Sequence, residues 1–276
     1  MKKRLIIVRG GGDLATGTIH RLWASGFNVL VLETDMPAAI RRQVSVCEAV
    51  YCKKTVIEGM TARLISTTNE IEDVLKKNEV PVLIDPEGKC IEKLNPAILV
   101  DAIMAKKNLG TRISMAPVTI ALGPGFKAGT DVQYVIETKR GHDLGRIIKE
   151  GYAVENTGIP GNIGGYAKER VIKAPAEGRF KALRDIGALV EADEKIAEIV
   201  MSDDSTKDVI TLIPGILRGI LKDGYIVTEG FKVADVDPRR EELKNCFTIS
   251  DKARCIAGSV LEICTGTLIS KNGLIS

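Results

Sequence analysis

Aromatic side chains are scarce in this chain of 276 residues: Phe, Trp and Tyr make up 4% of it, with a single Trp. A core therefore has to be built from Ile, Val, Leu and Ala, which the 45% hydrophobic content supplies. There are only two histidines, and no Cys-x-x-Cys pair occurs among the six cysteines, which argues against a structural zinc site. Cys246, Cys255 and Cys264 are nine apart, about 900° on a helix, so successive members face opposite ways. Reduced, mostly buried thiols fit that spacing, and no metal is expected. Charge of one sign is missing too. The 39 basic and 36 acidic residues leave +3, too small and too dispersed to argue for nucleic acid or an acidic membrane as partner. No apolar run approaches the roughly 18 residues of a membrane span. The opening "MKKRLIIVRGGG" has only four consecutive apolar residues before its glycines. It reads as a first strand in a cytoplasmic protein rather than as a signal peptide. Neither a Ser-His-Asp arrangement nor a nucleophile elbow is visible.

What is present is an alternation of strand and helix signals. "RLIIV" (4–8) is a continuous apolar run suited to a central parallel strand. Leu14, Ile19, Leu22 and Trp23 then fall at helical spacing, and Gly26 is placed to end that helix. "NVLVLE" (28–33), "VPVLID" (80–85), "APVTIAL" (116–122) and "DVQYVIE" (131–137) read as strands. Thr67 or Thr68 can cap a helix holding Ile71, Val74 and Leu75, and "PAILVDAIMAKK" (96–107) reads as a helix running into Gly110. Such alternation implies right-handed βαβ units, hence an α/β fold with a Rossmann-like, doubly wound, mostly parallel sheet over residues 1–168.

After the Gly-rich passage 156–169, read as a linker or binding loop, the helix signal fades and an internal repeat begins. Gly178, Gly187, Val190, Asp193, Ile196 and Ile199 recur as Gly215, Gly224, Val227, Gly230, Val233 and Val236, each 37 residues later. Neither half can bury its apolar face alone, so residues 169–240 are expected to form one small all-β module of two interlocking halves. Residues 241–276 read as a C-terminal helical tail, capped by Ser250, that packs on the first domain. Asp235, Asp237 and Arg239 precede it, and Lys252 and Arg254 are expected to join Asp237 in an ionic network.

The stretch "RGGGDLATG" (9–17) contains Gly10-x-Gly12-x-x-Ala15 between a strand and a helix, with Glu33 ending the next strand. That is the dinucleotide fingerprint in its usual context. Gly10, Gly11 and Gly12 would leave amides bare for a pyrophosphate at the helix N-terminus, with Asp13, Ala15 and Thr16 completing the turn. Glu33 would take a ribose hydroxyl. The plain alternative is a tight turn without ligand. Asp13 suits the helix dipole but repels phosphate, which would shift the ligand towards a ribose or base contact. Arg41 and Arg42, beyond the second strand, could clamp phosphate or carboxylate, or lie on a solvated face. Asp85 closes "VLID" as a further candidate contact, and Gly123 and Gly125 expose backbone in "ALGPGFKAG". Glu137, Arg140 and His142 form a candidate catalytic group, with His142 as general acid/base poised by Glu137 or Arg140. Its alternative is a cap or packing residue at a helix start. His20 is expected to be structural.

Two resemblances add to this. "APAEG…IGALVEADEKIAEI", within roughly 171–236, resembles lipoyl and biotinyl carrier modules, which implies a barrel-sandwich hybrid of two related hairpins. The carriers' swinging arm would fall at Lys207, but the Met-Lys-Met or Asp-Lys-Ala surroundings are missing, so a scaffold without an arm is expected. In order along nearly the whole chain, "RGGGDLATG", "LGPGFKAG", "ETKRGHDLGR", "NTGIPG", "DVDPR" and "ISDKAR" resemble YqeB-type accessory proteins of selenium-dependent molybdenum hydroxylases. The resemblance implies a maturation factor that prepares or inserts the molybdenum cofactor. Its partners would be the molybdenum hydroxylase or other maturation proteins. It also sets molybdopterin cytosine dinucleotide beside NAD as the dinucleotide. Two other readings stand open: an NAD-dependent oxidoreductase using His142, and a non-catalytic docking scaffold. Catalysis and a homodimeric state are likewise open.

Overall fold

The computed structural model describes residues 5–155 and 161–271, so Asn156–Pro160 of the Gly-rich passage lie outside the described residues. The chain forms two compact units. One comprises Met1–Pro37, Ser45–Asn156 and Ile249–Ser276; the other comprises Ala38–Val44 and Thr157–Thr248.

The first unit is built on a nine-stranded mixed sheet. Its strands are β1 (Leu5–Arg9), β2 (Asn28–Glu33), β3 (Lys54–Ile57), β4 (Met60–Ile65), β5 (Val80–Ile84), β6 (Ile98–Asp101), β7 (Val118–Leu122), β9 (Tyr134–Ile136) and β10 (Ile147–Ile148). A separate two-stranded ribbon pairs β8 (Lys127–Ala128) with β11 (Gly151–Tyr152). The order across the large sheet is β10-β9-β7-β6-β1-β2-β5-β4-β3. All neighbours are parallel except the edge pairs β9–β10 and β3–β4. The strand order reverses at β1, which lies between β2 and β6.

Period-two alternation distributes the apolar side chains to both faces. Ile6, Val8, Val29 and Val31 join one core with Ile19 and Leu22 of α1 (Asp13–Ala24) and Ile256 and Val260 of α5 (Asp251–Lys271). On the other face Ile7, Leu30 and Leu32 pack with Ile71 and Val74 of α3 (Ile71–Lys76) and Ile91 of α4 (Cys90–Leu94). The remaining helix, α2, is one turn (Ala49–Cys52). A capping box at Thr67 and Glu70 opens the α3 region, and Gly26, at φ +82, follows the end of α1. α5 crosses α1 closely: a Cβ on Gly17 would lie 2.7 Å from the Ala253 Cβ.

One expected helix is a strand. Residues 98–101 of "PAILVDAIMAKK" form β6, buried throughout between β1 and β7. A short run apolar on every side cannot be assigned by periodicity, and burial on both sheet faces decides it.

The second unit holds two four-stranded antiparallel sheets, β12-β19-β17-β14 and β16-β15-β13-β18. The strands are β12 (Val171–Lys173), β13 (Gly178–Ala182), β14 (Leu189–Val190), β15 (Lys195–Val200), β16 (Thr206–Ile210), β17 (Gly215–Ile220), β18 (Ile226–Val227) and β19 (Lys232–Asp237). The repeat is structural. β13, β14 and β15 begin at 178, 189 and 195, and β17, β18 and β19 begin 37 residues later at 215, 226 and 232. The short middle strand of each copy pairs with the first strand of the other, β14 with β17 and β18 with β13. A single hydrophobic core, including Phe180, Ile199, Leu217 and Val236, lies between them.

The unit boundaries differ from a contiguous division at residues 168 and 240. Residues 38–44 leave the first unit's chain and are stitched into the second. Ile220 N donates to Ile40 O at 2.9 Å, and Gly219 has no side chain because a Cβ would lie 2.9 Å from that oxygen. Among the described residues no helix is long and apolar enough to cross a membrane.

Candidate functional site

The carboxyl ends of β1, β2, β5, β6, β7 and β9 lie along one edge of the large sheet, where open α/β sheets bind ligands at the point of strand-order reversal. The loops there carry most of the residues singled out from sequence. Gly10 is left-handed at φ +92, and a Cβ on it would lie 2.9 Å from both Ala102 O and Ile103 Cα. The same connection crosses two other glycine turns. A Cβ on Gly123 would lie 3.5 Å from Met104 Cε and 2.6 Å from Thr138 Oγ1, and one on Gly125 would lie 2.7 Å from the Lys106–Lys107 backbone. Much of what approaches these glycines too closely for a side chain is thus the protein's own segment 102–107.

The three opening glycines are not equivalent. Gly10 N donates to Leu32 O at 2.8 Å, and Gly11 N donates to the Glu33 carboxylate at 2.7 Å. A Cβ on Gly11 would lie 2.9 Å from Cys47 N, which donates to Gly11 O. These two amides are therefore covered by the protein's own atoms, and the expectation that all three lie bare is corrected. Gly12 differs. It caps α1 in an extended conformation, φ −66 and ψ −179, and a Cβ there would meet nothing within 4 Å. Beyond it, Thr16 Oγ1 donates to Gly12 O at 2.8 Å and accepts from Val46 N, Leu14 N donates to Asp13 Oδ1, and Ala15 is buried in the core.

Glu33 accepts from Gly11 N and from Thr34 N at 2.8 Å, so both carboxylate oxygens are used inside the protein. Burial pushes its pKa up, against the pull of the Thr34 and Gly11 amides. Asp85 holds the start of α4, accepting from Lys89 N and Cys90 N at 2.9 Å each. Burial raises its pKa, but the Cys90, Lys89 and Gly88 hydrogen bonds outweigh that and lower it.

The arginine pair is not a ligand clamp in this structure. Arg41 is buried in the second unit and donates through Nη2 to Asn245 O at 2.8 Å and Thr248 O at 3.1 Å. Arg42 Nε donates to Ile220 O at 3.0 Å. Nor do Glu137, Arg140 and His142 converge. Glu137 is buried and accepts from Lys139 N at 2.6 Å and Val154 N at 2.8 Å, which fixes the turn after β9. Arg140 forms a bidentate pair with Asp251 at 2.7 and 3.0 Å. His142 is exposed in the turn between β9 and β10, where no helix forms, and Arg146 pairs with Asp143. Asp237 is bound by Arg239, and Arg254 by Glu58, in place of the expected joint network. Lys207 lies within β16, paired in register with Ile199, not at the hairpin tip.

Two features escaped the sequence reading. Arg9 and Asp101, ending the adjacent strands β1 and β6, are buried to 2% and 1% exposure. Thr111 Oγ1 donates to Asp101 Oδ2 at 2.6 Å, and Arg9 Nη1 donates to Thr111 Oγ1 at 2.5 Å. Arg9 Nη2 donates to Pro86 O at 2.8 Å, and burial pushes the Asp101 pKa up against Thr111 and Arg9. The signal was a charged residue closing each of two apolar runs, "LIIVR" and "ILVD". The second feature is the surroundings of Lys252, in the first turn of α5, which was expected to pair with Asp237. Burial and the neighbouring Arg140 push its pKa down, while Asp13, Glu137 and Asp251 pull it up. Among the described residues no group of three or more His, Cys, Asp or Glu side chains could hold a metal.

No family model matches the chain. Over 259 residues it is 46% identical to the uncharacterized protein YqeB of Escherichia coli K12. The match covers 94% of this chain and 47% of that protein, so the chain spans about half the length of this relative. It supports a YqeB-type chain. Among solved structures, the product-bound ectoine utilization protein EutE (DoeB) of Ruegeria pomeroyi is 13% identical, with 84% of each chain covered and a TM-score of 0.27. A succinylglutamate desuccinylase/aspartoacylase of Rhodobacter sphaeroides is 14% identical, with 85% of each chain covered and a TM-score of 0.28. Likeness at these scores carries no argument about fold or chemistry.

Proposed function

We propose that this chain is a cytoplasmic accessory factor in the maturation of a selenium-dependent molybdenum hydroxylase. Its first unit would bind a dinucleotide, NAD or molybdopterin cytosine dinucleotide, at the N-terminus of α1. The accessory role rests on the ordered motif resemblance; the 46% identity to an uncharacterized YqeB protein supports the YqeB type alone. In this reading the first unit is a Rossmann-like, doubly wound domain and the second a barrel-sandwich-hybrid-like module.

The observation that carries the binding site is Gly12. Its backbone angles suit any residue, its absent side chain would strike nothing, and Ser or Asp would cap α1 better. Packing gives no reason for glycine there, whereas an anion lying against the first helical turn does. Gly10, Gly11 and Glu33 are spent within the protein, and Leu14 N is taken by Asp13, so the contact narrows to Gly12 and the other amides of the first turn. Asp13 disfavours phosphate at this point, and Lys252, whose pKa Asp13 helps to raise against burial, would offset it. Such a ligand would supply a pyrophosphate to the helix terminus; what the chain contributes is an open backbone and a counter-charge.

Isothermal titration of NAD, NADP, CTP and a molybdenum-cofactor extract into wild type and Gly12→Val tests this. Binding of at least one dinucleotide that is lost in the folded variant is expected. Binding unchanged by Gly12→Val would remove the loop from the reading.

A further inference from the structure

A cleft of about 670 Å³ opens at one end of the second unit, remote in sequence from the glycine loop. Ala176, Val200, Met201 and Ile226 give its lining an apolar part, and Ile226, in edge strand β18, remains 59% exposed. Glu177, Asp203, Asp204 and Glu229 line it too, against a single lining cation, Arg179. Asp203 is engaged by Ser205.

The 37-residue repeat provides an internal control. The positions equivalent to Glu177, Asp203, Asp204 and Glu229 in the other copy are Pro214, Arg240, Glu241 and Ala192. The backbone is alike at Gly178 and Gly215, where a Cβ would strike Val200 O and the equivalent Asp237 O, and it diverges after these strands, β15 turning into β16 while β19 has no such successor. The rim draws Glu177, Asp203 and Asp204 from the first copy's end and Glu229 from the second, and three of the four acids are absent at the pseudo-equivalent place, so the repeat does not impose them. A metal ion does not account for it, because these carboxylates do not converge into a group that could hold one. The same lining combines these charges with exposed apolar surface.

We infer that this cleft docks a basic polypeptide segment in which Lys or Arg alternates with large aliphatic residues. An aliphatic side chain covers Ile226 and Met201, and the flanking cations meet the four carboxylates. Methionine adapts to varied apolar partners, and rim charges set specificity and association rate. This inference does not depend on the dinucleotide reading.

The test is fluorescence anisotropy of the full chain with labelled peptides Lys-Leu-Lys-Leu-Lys-Leu-Lys, Lys-Gly-Lys-Gly-Lys-Gly-Lys and Glu-Leu-Glu-Leu-Glu-Leu-Glu. Only the first should bind, more weakly at high salt. Affinity should fall about tenfold in Glu177→Gln/Asp204→Asn/Glu229→Gln, as expected for three exposed charge pairs. Ile226→Ser, which leaves the charges in place, should weaken binding too. Equal binding of the Lys-Gly peptide, or affinity unchanged in both variants, would overturn the inference. Self-association through the cleft without peptide binding would overturn it as well.

Discussion

Replacing the three opening glycines one at a time separates packing from ligand binding. Gly10→Ala meets two obstacles, a left-handed backbone and a Cβ 2.9 Å from Ala102 O. The conformational cost is about 1–2 kcal/mol and the overpacking cost about 1–3 kcal/mol, together about 2–5 kcal/mol. Gly11→Ala meets only the Cys47 backbone, at 2.9 Å, and should cost about 1–3 kcal/mol. Gly12→Ser meets nothing and gains a capping hydroxyl, so stability should change by only about 0.5 kcal/mol, upward if at all. The assay is urea unfolding followed by the fluorescence of Trp23, the only Trp of the chain, which lies in α1 and donates to Asn78 O at 2.9 Å. Because Trp23 belongs to the first unit, its signal reports that unit even if the second unfolds separately. A loss in Gly12→Ser as large as that in Gly11→Ala would show that Gly12 has a packing role and would refute the reasoning.

Three further outcomes follow from the same geometry. Arg9→Met should cost about 3–5 kcal/mol by stranding the buried Asp101 carboxylate, and Arg9→Met/Asp101→Leu should recover most of it, as read from urea midpoints in a double-mutant cycle. Arg41→Ala should lower the stability of the second unit by about 1–3 kcal/mol without altering nucleotide titrations, since its Nη2 holds the Asn245 and Thr248 carbonyls. Glu58 pairs with Arg254 and accepts from Ile249 N, and although burial raises its pKa, those bonds lower it below the ordinary glutamate value. Its contribution, about 1 kcal/mol at this exposed site, is present above the unfolded-state pKa and lost as pH falls through the lower folded value. The difference in urea midpoint between wild type and Glu58→Ala should accordingly close on acidification.

Where the sequence could be read, and where it could not, follows from the range of the interactions involved. Strands such as "NVLVLE" were legible because continuous apolar runs end at local breakers, and β2 spans the same residues, 28–33. The repeat was legible because identical spacing forces identical strands, and β13–β15 recur as β17–β19. β6 was not, because an apolar run buried on both faces has no period to read. The site was harder still. Glu33 ends β2 and Glu137 follows β9 at the expected edge, but each accepts one bond from a nearby amide and one from an amide brought there by a distant segment. Arg41 looks like a ligand clamp until the 38–44 excursion places it against residues 245–248. Gly10, Gly11 and Gly12 are the same letter, and only the positions of Ala102 and Cys47 tell them apart.

Non-denaturing mass spectrometry of freshly purified protein tests the central claim most directly. The account predicts that wild type retains a nucleotide-containing anion whose mass identifies it, and that Gly12→Val, equally folded, retains none. The same adduct on both proteins would contradict it.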